Sequence, residues 1–119
     1  MSRHDPIVRL RHMLDHAREA RDLARGRSRT DLDSDRLLNL SLVHLLGIVG
    51  EAAAWTPQDI RQRHPGIPWR DIVDLRNRLI HGYDIVNFDI LWQIIQADLP
   101  PLIAELERII EAEGASPDD

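Results

Sequence analysis

The chain has no cysteine and no lysine. Without cysteine there is no disulfide, no thiolate nucleophile and no sulfur-bound metal, and the composition fits a reducing compartment. Without lysine there is no Schiff-base chemistry. The strong cations are all arginine, the better two-pronged partner for phosphate or carboxylate, although codon bias is the better account of the surface arginines. Aromatic residues are scarce, at 4 % of the chain, with a single tyrosine. The opening "MSRHDPIVRL" has no apolar core, so no signal peptide is expected. The longest mostly apolar run, Leu37 to Trp55, is broken by Asn39, Ser41, His44 and Glu51. A buried helix accounts for it better than a membrane span, and a cytoplasmic protein is expected. There is no glycine-rich phosphate loop, no convincing pair of catalytic carboxylates and no Ser-His-Asp order.

What is present suits one globular domain over residues 1–119, with 43 % apolar and 29 % charged residues. The net charge of −5 is uneven. Residues 61–81 hold five arginines against two acids, whereas residues 82–119 hold one arginine against nine acids. The global balance argues against loose nucleic-acid binding, yet the local excess leaves room for a small phosphate-reading patch.

Apolar residues recur at helical spacing nearly throughout. Ile7, Leu10, Met13, Leu14, Ala17 and Ala20, ending on Leu23 and Ala24, form the stripe of a first helix. Asp31, Asp33 or Ser34 is expected to cap a second, central helix from Leu37 to Ala54. Thr56 and Pro57 read as a cap and first-turn proline for a third, short helix to about His64. A fourth helix is expected from Pro68, with Trp69, Ile72, Val73, Arg76, Leu79 and Ile80 on one face and Gly82 as its stop. Phe88 to Glu113 reads as a last helix, kinked or split at Pro100-Pro101. Residues 114–119 read as a frayed tail. No stretch alternates long enough to be a strand. These elements predict an all-α, antiparallel bundle.

The polar residues gathered at the end of the fourth helix raise the functional question. Arg76, placed on an apolar face, needs either a buried carboxylate such as Glu51 or a cleft that receives an anion. Asn77 is spaced to orient His81 or to face solvent. His81 can serve an anion site with Arg76, or simply answer the negative end of the helix dipole. His44 is either a satisfied core histidine or a lining residue of the same cleft. His12 and His16 form at most half a zinc site and suit a solvated face. His4 and His64 read as surface residues. No metal or cofactor is expected.

"GEAA" (Gly50 to Ala53), "RHPGIPWRDIVDLRNRLIHGYD" (Arg63 to Asp84), Trp92 and "DLPPL" (Asp98 to Leu102) resemble the HepT-like toxins of the HEPN superfamily. The hallmark is Arg-x4-His-x-Tyr, here Arg76, His81 and Tyr83, with the polar Asn77 after the arginine. The resemblance implies a homodimeric four- to five-helix HEPN bundle with its site in a cleft between protomers. It implies metal-independent RNA cleavage by Arg76 and His81, supported by Asn77. Glu51 and Arg78 are further supporting candidates. It also implies a type VII toxin–antitoxin pair, in which a nucleotidyltransferase antitoxin silences the RNase by transferring AMP to Tyr83. Two other readings remain: a non-catalytic HEPN module that binds a nucleotidyltransferase, and a purely structural dimeric bundle.

Overall fold

The computed structural model describes residues 6–83 and 85–114. Three long helices, α1 (Pro6–Ala24), α3 (Arg36–Ala54) and α8 (Leu99–Gly114), make the frame. Shorter helices connect them: α2 (Asp31–Ser34), α4 (Gln58–Arg63), α5 (Trp69–Val73), α6 (Leu75–Leu79) and α7 (Phe88–Gln93). A small antiparallel hairpin, β1 (Ile80–His81) with β2 (Ile85–Val86), separates α6 from α7. The all-α bundle is as expected from the sequence; the hairpin is not. The expected frayed tail lies outside the described residues except for Gly114, which closes α8.

α1 packs along α3 and α8, and α3 also packs on α5 and α6. The stripe of α1 is buried at Leu10, Met13, Leu14, Ala17, Ala20 and Ala24, while Leu23 faces water. Leu42, Leu46 and Val49 of α3 meet it, as do Leu102, Leu106 and Ile109 of α8. Each such large side chain contributes about 1.5–3 kcal/mol on leaving water. The stability therefore resides in these stripes rather than in exposed ion pairs, which solvent screens. By length and composition α3 could cross a membrane, but about half of it is buried within this bundle. That is the pattern of a core helix.

The cap of α3 is Asp35 rather than Asp31, Asp33 or Ser34. Its Oδ1 accepts from the Leu38 N–H at 3.0 Å, and Arg27 Nη2 donates to Oδ2 at 2.5 Å. Those donors, the Leu38 amide first, hold its pKa below the usual carboxylate range. Asp31 instead reaches back to accept from the Ser28 N–H at 2.7 Å. Nor does Thr56 cap α4. It is buried, and its Oγ1 donates to the Ala52 carbonyl at 2.9 Å, leaving Pro57 at the cap position. Arg61 closes the other end of this corner by donating to the carbonyls of Ala53, Ala54 and Thr56. It thereby satisfies orphan acceptors at the end of α3.

The expected fourth helix is interrupted. It breaks at Asp74 into α5 and α6 and ends at Leu79, before His81 and Gly82. The buried positions are Trp69, Ile72, Leu75 and Leu79, whereas Val73 and Arg76 are exposed. Leu75 and Arg76 both fit helical spacing from Ile72, and leucine takes the inward place. Gly50 seats this arm: a Cβ there would stand 2.9 Å from the Ile72 carbonyl oxygen. Only a glycine lets α5 come that close to α3.

Pro100 and Pro101 do not end the last helix. A π-turn (Ile94–Asp98) precedes them, with the Leu99 N–H bonded back to the Ile94 carbonyl. The wider turn re-registers the backbone just where two donors are missing, and the prolines fall in the first turn of α8.

Candidate active site

The residues singled out in the sequence sit on three neighbouring elements. α3 carries His44 and Glu51, α6 carries Arg76, Asn77 and Arg78, and the hairpin carries His81 and Tyr83. A groove of about 450 Å³ runs between α3 and the α5–α6 arm, lined by His44, Gly47, Glu51, Val73, Arg76 and Ile80 among others. The groove brings Arg76, Glu51 and His44 together. His81 is not among its lining residues.

Arg76 is not a buried ion-pair member. Its guanidinium is exposed and makes no hydrogen bond or ion pair with any described residue. Glu51, the partner first considered, is also exposed, and its Oε1 accepts from Trp55 Nε1 at 3.3 Å. His44 is an exposed groove residue rather than a core histidine. Asn77 does not orient His81; its Nδ2 donates to Asp74 Oδ1 at 2.7 Å, bracing the break between α5 and α6. Arg78 turns away from Arg76. It donates to Asp98 Oδ2 at 3.2 Å and lines a different groove, with Asp71 and Glu105.

His81 stands in β1 rather than on a helix end, so the helix-dipole explanation for it does not apply. Its partner across the ladder is Ile85, and Ile80 pairs with Val86. Successive strand residues face opposite ways. Ile80 is half-buried against the core, and His81 is exposed on the other side. The turn uses Gly82 at φ 72°, a left-handed conformation that glycine adopts without penalty. Tyr83, next to it, is 93 % exposed. Asn87 anchors the base. Its N–H donates to the Leu79 carbonyl at 2.8 Å, and its side chain caps α7 through the Ile90 N–H at 3.1 Å.

The other described histidines are structural or solvated. His64 is half-buried rather than on the surface, with Nε2 2.7 Å from Glu113 Oε2, and Arg63 binds the same carboxylate. His16 Nδ1 lies 2.6 Å from the His12 carbonyl oxygen. Among the described residues no group of three or more His, Asp or Glu is placed to hold a metal ion. His4 lies outside the described residues.

The stretch that carries these residues is also the stretch that matches known proteins. A family model described as "Ribonuclease HepT-like" matches residues 13–109. A Caldanaerobacter subterraneus protein named as a candidate RNase is 33 % identical over 108 residues, covering 91 % of this chain and 96 % of its own. One from Thermococcus cleftensis, named as a probable ribonuclease HepT, is 34 % identical over 79 residues, 66 % of this chain and 72 % of its own. A Methanocaldococcus jannaschii protein, also named as a candidate RNase, is 29 % identical over 109 residues, 92 % of this chain and all of its own. No solved structure gives a significant match. The all-α bundle and a family match over most of the length agree: the chain belongs to the HepT-like ribonuclease family of the HEPN superfamily.

Proposed function

We propose that the chain is a cytoplasmic, metal-independent endoribonuclease. In this reading it is the toxin of a type VII toxin–antitoxin pair, acts as a homodimer and is silenced by AMPylation of Tyr83. The observation that carries the reading is Arg76, a guanidinium unpaired among the described residues, on the wall of a groove that reaches Ile80, the residue before His81. A cation that pairs with no carboxylate among the described residues, in a chain of net charge −5, suits an anionic substrate.

One chain offers one His81, and RNA transesterification needs both a base and an acid. A twofold axis supplies the second. Support for such an axis comes from Leu37 and Leu40 on the outward face of α3 and Trp55 just past its end, which are 76 %, 50 % and 65 % exposed. Exposed apolar side chains of this size suit an interaction surface. In the composite cleft one neutral His81 takes the proton of a ribose 2′-OH. The 2′ oxygen bonds to phosphorus as the bond from phosphorus to O5′ breaks. The other His81, protonated, gives its proton to the leaving O5′. The two Arg76 side chains offset the charge that builds on the phosphoryl oxygens. Glu51 and His44, in the groove with Arg76, are the supporting residues.

Tyr83 is reachable by another enzyme's active site. There its hydroxyl attacks the α-phosphorus of ATP, pyrophosphate leaves, and the phenolic proton passes to the transferase. The resulting phosphate and nucleoside, two residues from His81, exclude RNA by bulk and by repulsion.

The test is cleavage of total RNA by the purified chain in EDTA, with analysis of product ends. Wild type should give 2′,3′-cyclic phosphates and a light-scattering mass near twice the 13.7 kDa chain. Arg76→Ala and His81→Ala should each lose ~10²-fold or more with helical content unchanged. Full activity in His81→Ala, or a monomeric active protein, would rule the composite site out.

A further inference from the structure

Ten of the fourteen described arginines have their guanidinium engaged. Arg18, Arg21, Arg25, Arg27, Arg29, Arg63, Arg78 and Arg108 bind carboxylates. Arg36 donates to Asn39 at 3.4 Å, and Arg61 donates to three carbonyls. Only Arg9, Arg11, Arg70 and Arg76 make no such contact with a described residue. The first two lie on α1. The other two flank Val73, which lines two adjacent grooves: the one that holds Arg76, and a shallower one of about 740 Å³ between α4 and α5 that holds Arg70. Val73 lines both grooves and lies between Arg70 and Arg76 in the chain, so it forms the ridge between them.

The second groove is electropositive within an acidic chain. Arg70 and Arg61 line it, against the single carboxylate of Asp74, which already accepts from Asn77. Asp71, next to Arg70 in sequence, faces the separate groove on the Arg78 side. Gln58 and Gln62, one helical turn apart on α4, complete the wall; both are exposed, and their amides are unengaged among the described residues. Two amides with free donors and acceptors beside one free guanidinium match a nucleotide: cation to phosphate, amides to base edges.

We propose that this groove is an RNA subsite, in which Arg70 binds a backbone phosphate on one side of the scissile bond while Gln58 and Gln62 contact the neighbouring base. It rests on the ribonuclease reading and extends the substrate path from the Arg76 groove over the Val73 ridge. Arg70 is thus a substrate-binding residue that takes no part in proton transfer.

Binding is measured by fluorescence anisotropy with the full-length His81→Ala protein and an unstructured RNA of about ten nucleotides, in the length range such grooves span. Arg70→Ala added to this background should weaken binding several-fold for every sequence. It should also lower the log–log salt slope by about 0.7, the share of one single-strand phosphate. Arg70→Lys should keep the slope, Arg70→Glu should weaken binding further, and Arg11→Ala on α1 should change nothing. In the active protein Arg70→Ala should raise KM for the same RNA far more than it lowers kcat. Unchanged affinity and salt slope in Arg70→Ala would overturn the subsite while leaving the ribonuclease reading intact. So would an effect confined to modification by the nucleotidyltransferase, which would assign the groove to that protein. A wild type that neither binds nor cuts RNA would overturn both.

Discussion

Gly50→Ala set against Gly47→Ala tests how the arm that carries Arg76 is seated. Both glycines lie inside α3. Alanine is the better helix former by about 1 kcal/mol at either position. At Gly47 an added Cβ meets nothing within 4 Å. At Gly50 it would stand 2.9 Å from the Ile72 carbonyl oxygen, 3.6 Å from that of Val73 and 3.7 Å from Leu75 Cβ. Relaxed carbon–oxygen contacts sit at about 3.3–3.6 Å. The offending atom is backbone and cannot swing aside, so α5 has to move by a few tenths of an ångström. Overpacking of this kind costs about 1–3 kcal/mol. Gly47→Ala should therefore stabilise by about 1 kcal/mol, and Gly50→Ala should range from neutral to about 2 kcal/mol destabilising. The gap between the two variants isolates the steric term, because helix propensity cancels. Urea unfolding followed by circular dichroism gives the gap, repeated at concentrations about tenfold apart to separate any contribution from association. Equal stabilisation by both substitutions would refute the close approach of α5 to α3. With it would go the reason for placing Arg76 where it is.

Tyr83→Phe should remain unmodified when incubated with ATP, magnesium and the cognate nucleotidyltransferase, and should escape silencing; intact mass and RNase assay read both, and because the chain has one tyrosine any adduct elsewhere refutes the mechanism. Glu113 is held below the usual carboxylate range by Arg63 first and His64 second. A depressed carboxylate pKa contributes stability above its unfolded pKa and loses it as pH falls through the folded value. The link between α4 and the end of α8 should thus weaken on acidification below that range, and Glu113→Gln should flatten the acid limb of a thermal-melt series; an unchanged limb would show that the contact contributes nothing.

The long amphipathic helices were legible because burying one stripe admits few solutions. α1 and α3 come out within a residue or so of expectation, as does the turn at "HPGIP". The stretch from Asp74 to Val86 was not legible. Its buried stripe tolerates either Leu75 or Arg76 in the inward place, and sequence spacing cannot choose between them. Its strands are two residues each, too short for any alternation to register. The hairpin is held by the Asn87-to-Leu79 backbone bond, which leaves no mark on side-chain pattern. For the site, the motif drew attention to Arg76, His81 and Tyr83, and the structure leaves all three at the surface. The role of Arg61 was invisible: its charge counted toward a basic segment, although its donors serve carbonyls. Arg70 went unnoticed for the opposite reason, since freedom from partners is a property of the folded surroundings.

The Asn87 knot at the foot of the hairpin has a mechanical consequence. It closes a hydrogen-bonded neck beneath Gly82 and Tyr83, and the ring of Tyr83 hangs beyond that neck, almost wholly in water. Cargo attached there loads the molecule the way a tag loads a handle. No core contact is levered open, and no buried group is uncovered. The proposed attachment at Tyr83 can therefore proceed on a fully folded chain, since the hairpin stands apart from the contacts that hold the core.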